Sequence, residues 1–369
     1  MKVLHLGFED PTMPGAGGGS LRTHEINRRL AAMGHDVTVL TTRFPGSHQR
    51  VQDGVRYVPV GFGVGRNRLT RLLGYVLGLP AAVRRYRGAD LVVEDFFAPF
   101  SSMAAPYWTR RPTIGVVQWL HARDKSRQYR LPFHLVERAG VRSHSRLIAV
   151  SYDTAAQLTA MNPAVNVHVI GNGVDRELFA EPARLGRNVV FIGRLELRQK
   201  GLDLLMRAWA RAELESDIRL VVAGTGPDEA AVRRLAQELG IAHRVDFVGW
   251  VRGADKRTLL SEARLLVVPS RQETFGIVAL EGLAAGTPVL AFDIHCLREI
   301  LPAGCSWRIP AFDVEQFAST LAELAGNDAL LRSAGAQGRD FASRYDWDLL
   351  AARQAEVYRA SVAPGARLA

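Results

Sequence analysis

A chain of 369 residues is too long for one ordinary hydrophobic core and comfortable for two. With 47% apolar and 23% charged residues, it excludes a disordered chain, and the lack of any run near ~18 apolar residues excludes a spanning helix. The net charge of +10 sits in the first half: residues 1–180 carry 23 Arg and Lys against 13 Asp and Glu, whereas residues 181–369 carry 24 of each. Such a half attracts phosphates, anionic lipid or nucleic acid without choosing among them, and solvated arginines alone would give the same excess.

In chain order, the opening apolar run Val3–Phe8 is too short for a signal peptide and reads as a buried first strand. A helix is expected over Leu21–Met33, then strands at Val37–Thr41, Leu91–Val93, Thr113–Val117 and Leu147–Val150. The segment Arg66–Arg87 is basic and apolar-rich, with Leu69, Leu72, Leu73 and Val76 set between arginines, but Gly74, Gly78 and Pro80 argue against one long helix. Its apolar face is either ordinary core or a contact with an anionic bilayer. In the second half, strands are expected at Asn188–Ile192, Arg219–Ala223, Val245–Val248, Leu265–Pro269 and Val289–Phe292. Helices between them are expected at Leu202–Ala212, Pro227–Leu239 and Val278–Ala285. Short Val-, Leu- and Ile-rich runs alternating with helices indicate parallel strands covered on both faces.

The expectation is therefore an α/β protein of two doubly wound, Rossmann-like domains, residues 1–180 and 181–344, facing each other across a cleft. Pro182 and Gly186 mark the break. Residues 345–369 form a final helix, with Trp347, Leu350, Val357 and Tyr358 available for one face, that is free to lean back on the first domain. Cys296 and Cys305 have no metal-ligand spacing and read as reduced thiols, which suits a cytoplasmic protein.

Three segments carry chemistry. The first is Gly17-Gly18-Gly19-Ser20, between the first strand and the first helix, where backbone N–H groups can meet an anion or simply form a tight turn. It is not GxGxxG, and strand two ends Leu40-Thr41-Thr42-Arg43 with no ribose-binding acid, which disfavours a nicotinamide oxidoreductase. The second is Gly193-Arg194 through Lys200-Gly201, where an Arg and a Lys follow a strand and precede a helix. Two cations there suit a diphosphate, although an isolated pair is more often two solvated loop residues. The third is Pro269-Ser270-Arg271-Gln272-Glu273-Thr274-Phe275-Gly276-Ile277-Val278, with Glu281 beyond it on an apolar helix face. A carboxylate so placed can accept the paired hydroxyls of a ribose, and the turn can present N–H groups to phosphate.

These segments together resemble glycosyltransferase family 4, a GT-B-fold family of retaining enzymes, over nearly the whole chain. Glu273 and Glu281 match its Glu-x7-Glu element, and Gly193-Arg194…Lys200-Gly201 its Gly-Arg…Lys-Gly. Asn172-Gly173-Val174-Asp175…Phe179, Gly224-Thr225-Gly226-Pro227, Phe247–Val251, Gly286-Thr287-Pro288-Val289, Gly17–Gly19 and Gly34-His35-Asp36-Val37 resemble further family segments.

The resemblance implies that Arg194 and Lys200 hold the donor diphosphate, Glu281 the ribose and Glu273 the donor sugar. It places Phe275, Gly276, Ile277 and Val278 at sugar and phosphate through their amides. Gly17, Gly18 and Gly19 also fall on the donor, and Gly249, Trp250, Val251 and Arg252 border the base. His121 resembles the N-domain histidine beside the sugar. The implied reaction moves a hexose-type sugar from a UDP- or GDP-sugar to a hydroxyl acceptor (a lipid, glycan or small metabolite), with retention and with neither a metal nor another cofactor. Glu94 and Asp95, at a strand end where many relatives have a histidine, either steer the acceptor or cap the next helix. A cytoplasmic enzyme, peripheral on the inner membrane face, follows if Arg66–Arg87 meets lipid. The rivals are a GT-B epimerase or phosphorylase and a non-catalytic nucleotide- or nucleic-acid-binding module; the latter needs neither Glu273 nor Glu281 and lacks an aromatic-interleaved basic motif.

Overall fold

Apolar runs of four to seven residues become central strands because both faces of each sheet are covered by helices. The computed structural model describes residues 1–13, 16–62, 68–96, 104–120, 122, 126 and 130–363. It divides into two units, Met1–Asn172 with the chain from Trp347 onward, and Gly173–Asp346. The first crossing lies at Asn172/Gly173, inside the Asn-Gly-Val-Asp segment, rather than at 180.

In the first unit the strands are β1 Lys2–Leu6, β2 Asp36–Thr42, β3 Arg50–Gln52, β4 Val55–Val60, β5 Leu91–Phe96, β6 Thr113–Val117, β7 Arg146–Ala149 and β8 Asn166–Val169. Their order is β3-β4-β2-β1-β5-β6-β7-β8, parallel except for β3 against β4. The β3–β4 hairpin was not expected. Its signal is Asp53-Gly54, both at positive φ, the Asp-Gly pair that a two-residue hairpin turn favours.

The segment expected to break is a continuous helix, Arg68–Arg85, running through Pro80. Burial of Leu72, Tyr75, Leu79 and Val83 outweighs the roughly 3 kcal/mol that an interior proline costs. Gly74 serves close approach: a Cβ there would lie 1.9 Å from the Phe62 carbonyl oxygen. On the opposite side Leu73 and Leu77 are 50% and 65% exposed. Arg66, and the side chains of Arg68 and Leu69, fall outside the described residues.

The helix Trp347–Val362 completes the first unit's core. Trp347, Leu350, Ala351, Ala355 and Tyr358 pack with Val3, Ile26, Val37, Leu91 and Ile148. Arg22, wholly buried on helix Gly18–Ala32, donates to the Ile170 carbonyl and to Gln354 Oε1, each at 3.0 Å.

The second unit has β9 Val189–Ile192, β10 Leu220–Ala223, β11 Val245–Gly249, β12 Leu265–Val268, β13 Val289–Phe292 and β14 Ser306–Ile309. The order β11-β10-β9-β12-β13-β14, all parallel, is the doubly wound arrangement 3-2-1-4-5-6. Its direction reverses between β9 and β12, and ligands of such sheets bind outside the carboxyl ends of the strands at that switch point. Among the described residues, no helix is long and apolar enough to cross a membrane.

Candidate active site

The loops that follow β9 and β12 flank the switch point, and they carry Arg194, Lys200 and Glu273. After β9 the chain turns through Gly193–Glu196 into a short helix, Leu197–Lys200, whose first N–H donates to Asp228 Oδ2 at 2.8 Å. Gly201 ends that helix at φ 63° and begins the next, Leu202–Arg211. A Cβ on Gly201 would stand 2.0 Å from the Pro269 carbonyl oxygen, so only glycine lets the two loops meet.

The contact is fixed from the other side by Arg271. Its two terminal nitrogens donate to the two Asp203 oxygens at 2.7 Å each, and Nη1 also reaches the Leu197 carbonyl at 3.0 Å. Burial alone would raise the Asp203 carboxyl, but the Arg271 hydrogen bonds and charge, together with the Asp203 and Leu204 amides, outweigh it and hold the group below the usual carboxylate range. The Arg271 amide bonds the Gln199 carbonyl at 2.9 Å. With the loops locked, Lys200 Nζ lies 2.5 Å from Glu273 Oε1, and Ser270 Oγ donates to the same oxygen at 2.7 Å. Arg194 stands apart, 61% exposed and 3.7 Å from Glu196, available to an incoming anion.

Gly276, at φ 87°, precedes helix Ile277–Ala285, and no side chain caps that start. Ile277 and Val278 are half-buried there. Backbone N–H groups at a helix start with no side-chain cap are of the kind that can bond an anion. One turn on, Glu281 is 7% exposed and accepts from Lys256 Nζ, from helix Gly253–Ser261. Gly249 ends β11, and its carbonyl accepts from the Gly224 amide at 2.6 Å. Trp250 is 53% exposed, with the Arg252 guanidinium 5.6 Å from its ring centre.

The first unit gathers a different set. Gly17 precedes helix Gly18–Ala32, and its amide donates to Glu9 Oε2 at 3.2 Å. Gln118 Nε2 reaches the Gly19 carbonyl at 3.3 Å. Glu94 is fully buried against His144 Nε2 at 3.3 Å and accepts from the Ala105 amide at 3.1 Å, at the start of helix Ala105–Trp108. Of the two readings of Glu94, these contacts fit the helix cap: the carboxylate is turned into the core, onto the start of that helix. Asp95 is likewise engaged, by Thr23 Oγ1 at 2.7 Å and by His5 Nε2 at 3.1 Å. His121 lies outside the described residues.

Three residues of the second unit's site were missed by sequence reasoning. Ser270 and Arg271 stood inside the quoted segment, and their pairing with Glu273 and Asp203 has no spacing signature. Lys256 lies in an exposed-looking helix 25 positions from its partner, and only the fold joins them.

Residues 16–178 match Glycosyltransferase Family 4, and residues 186–327 match Glycosyl transferases group 1. The chain is 30% identical to D-inositol 3-phosphate glycosyltransferase 1 of Catenulispora acidiphila, across 99% of its own length and 96% of the relative's. Sucrose-phosphate synthase from Thermosynechococcus elongatus has the same fold, with a TM-score of 0.81 at 23% identity, covering 97% of this chain and 98% of that one. Anabaena HepE, solved in complex with UDP and glucose, gives a TM-score of 0.76 at 18% identity, covering 98% and 100%. Two Rossmann-like units and these matches make the chain a GT-B glycosyltransferase. The chain belongs to glycosyltransferase family 4.

Proposed function

We infer that the protein moves a hexose-type sugar from a nucleotide diphosphate sugar, a UDP- or GDP-sugar, to a hydroxyl acceptor with retention of configuration and without a bound metal. The observation that carries this reading is the Lys200–Glu273–Ser270 cluster at the β9/β12 switch point, beside the uncapped start of helix Ile277–Ala285. Cations and N–H groups aimed at a departing diphosphate stabilise charge that grows as the glycosidic bond breaks, which lowers the barrier more than it tightens ground-state binding. Arg194, Lys200 and the helix start supply that charge from the chain itself. Because Oε1 of Glu273 already takes Lys200 and Ser270, the carboxylate is a held group that orients the sugar, and same-face attack with the leaving phosphate oxygen as base is preferred over a covalent intermediate on Glu273. A UDP complex of a like-folded protein supports the donor class.

Proton NMR of the product, with the donor's anomeric form known, tests the reaction. The expected product keeps the donor's anomeric configuration, and chelation of divalent cations leaves the rate unchanged. An inverted product removes the retaining reading, and loss of activity on chelation removes metal independence.

The acceptor includes a lipid-borne hydroxyl in this reading, because helix Arg68–Arg85 offers exposed Leu73 and Leu77 one turn apart, with exposed Arg84 and Arg85 two turns on. Flotation with vesicles containing anionic lipid is expected to carry the wild type and to leave a Leu73→Asp, Leu77→Asp variant behind. Wild-type protein that floats no better with anionic than with neutral vesicles contradicts this part.

A further inference from the structure

Glu281 is the sole charged residue of helix Ile277–Ala285 and is almost buried, so its carboxylate needs compensation. Lys256 provides it, with Nζ on Oε2 from helix Gly253–Ser261. The flanking cations point elsewhere: the Arg252 guanidinium lies over Trp250, and Arg257 bonds Glu177 at 2.6 Å. The helix bearing Lys256 begins directly after Gly249–Arg252, the segment read as bordering the base. Glu281 lies one turn beyond the helix start read as meeting the diphosphate. A ribose joins base to diphosphate, so the Lys256–Glu281 pair stands where its hydroxyls arrive.

We propose that Lys256 is a positioning residue for ribose recognition: it fixes one oxygen of Glu281 and balances its charge, so that the carboxylate is pre-set to accept the ribose hydroxyls of a nucleoside diphosphate. This rests on the donor reading above. An ammonium only donates, so it can hold Glu281 without competing for the hydroxyl protons. A site built to bond a hydroxyl rejects an analogue lacking it, because a buried acceptor is then left unpaired. Loosening the carboxylate weakens that rejection while leaving the diphosphate contacts alone.

The test is calorimetric titration of the full-length protein with UDP, GDP, their 2′-deoxy forms, and inorganic pyrophosphate. The wild type is expected to favour the ribose form of its nucleotide by about tenfold or more, the range set by one hydrogen bond to a charged group. Lys256→Met is expected to compress that ratio to within about twofold, and Lys256→Arg to restore most of it, since the cation returns. Pyrophosphate binding should be equal in all three. A Lys256→Met protein with the wild-type ratio overturns the proposal and leaves the donor reading standing. If the wild type shows no ribose preference, or Glu281→Ala leaves the ratio unchanged, the ribose reading of Glu281 falls and the proposal falls with it. Should Lys256→Met fail to fold, Lys256→Gln is read by the same criteria.

Discussion

Lys200 holds a cation against Glu273, and Glu281 holds an almost buried anion against Lys256. In the proposed reaction, removing the Lys200 ammonium leaves the departing diphosphate to Arg194 and the helix start; it also frees Glu273 from its cation. Lys200→Ala is therefore expected to lower donor turnover by about a hundredfold or more, the loss typical when one oriented stabilising group is deleted. Glu281→Ala should do the same chiefly through donor KM, because a ribose contact is made in the ground state as well. Both proteins should melt within a few degrees of the wild type. Near-full activity in both variants contradicts the assignment. At this scale the sequence was most informative at Lys200 and Glu273, two loop residues that the fold sets in contact. It left two readings open at Glu94, because a carboxylate ending a strand looks alike whether it faces a ligand or His144. It was silent on Lys256, whose partner is supplied by a neighbouring helix.

Two loops must touch for the site to exist, and the touch depends on Gly201 and on the Arg271–Asp203 pair. Gly201→Ala places a methyl against the Pro269 carbonyl at a positive φ, and is expected to cost roughly 1–3 kcal/mol and to displace Lys200 from Glu273. A lower melting midpoint with impaired turnover is the expected result; a neutral substitution contradicts the close approach. The Asp203 carboxyl is held below its ordinary value, so its contribution to stability is complete above the unfolded pKa of about 3.9. It is lost as pH falls through the lower folded value. Arg271→Leu should flatten the acid limb of a melting-midpoint profile, and an unchanged limb removes that pair from the acid response. The same scale explains which elements were legible. Core strands such as β9, β10 and β13 announce themselves by apolar runs, whereas β3 and β4 hide behind mixed polarity. The helix Arg68–Arg85 survives Pro80 only through its buried face and the Gly74 contact, neither of which composition reveals.

The chain leaves its first unit at Asn172, builds the second, and returns at Trp347 to finish the first. The final helix is thus core for residues more than 300 positions earlier. Trp347→Ala is expected to cost about 3–5 kcal/mol, the usual loss for a buried tryptophan. Hydrogen exchange should show the loss in β1, β2 and β5 while β9 to β13 keep their protection; equal loss in both units contradicts the division. The proposed donor site is a narrower matter than the fold: in it, the second unit's switch point holds a nucleoside diphosphate through Lys200 and its neighbours. A thermal-shift panel of UDP, GDP, ADP and TDP on the wild type and on Lys200→Ala addresses it directly, because a ligand that binds the folded state raises its melting midpoint by mass action. One of these nucleotides is expected to raise the wild-type midpoint well above the others, and Lys200→Ala to lose most of that rise. No shift with any of the four, or an equal shift in the variant, contradicts it.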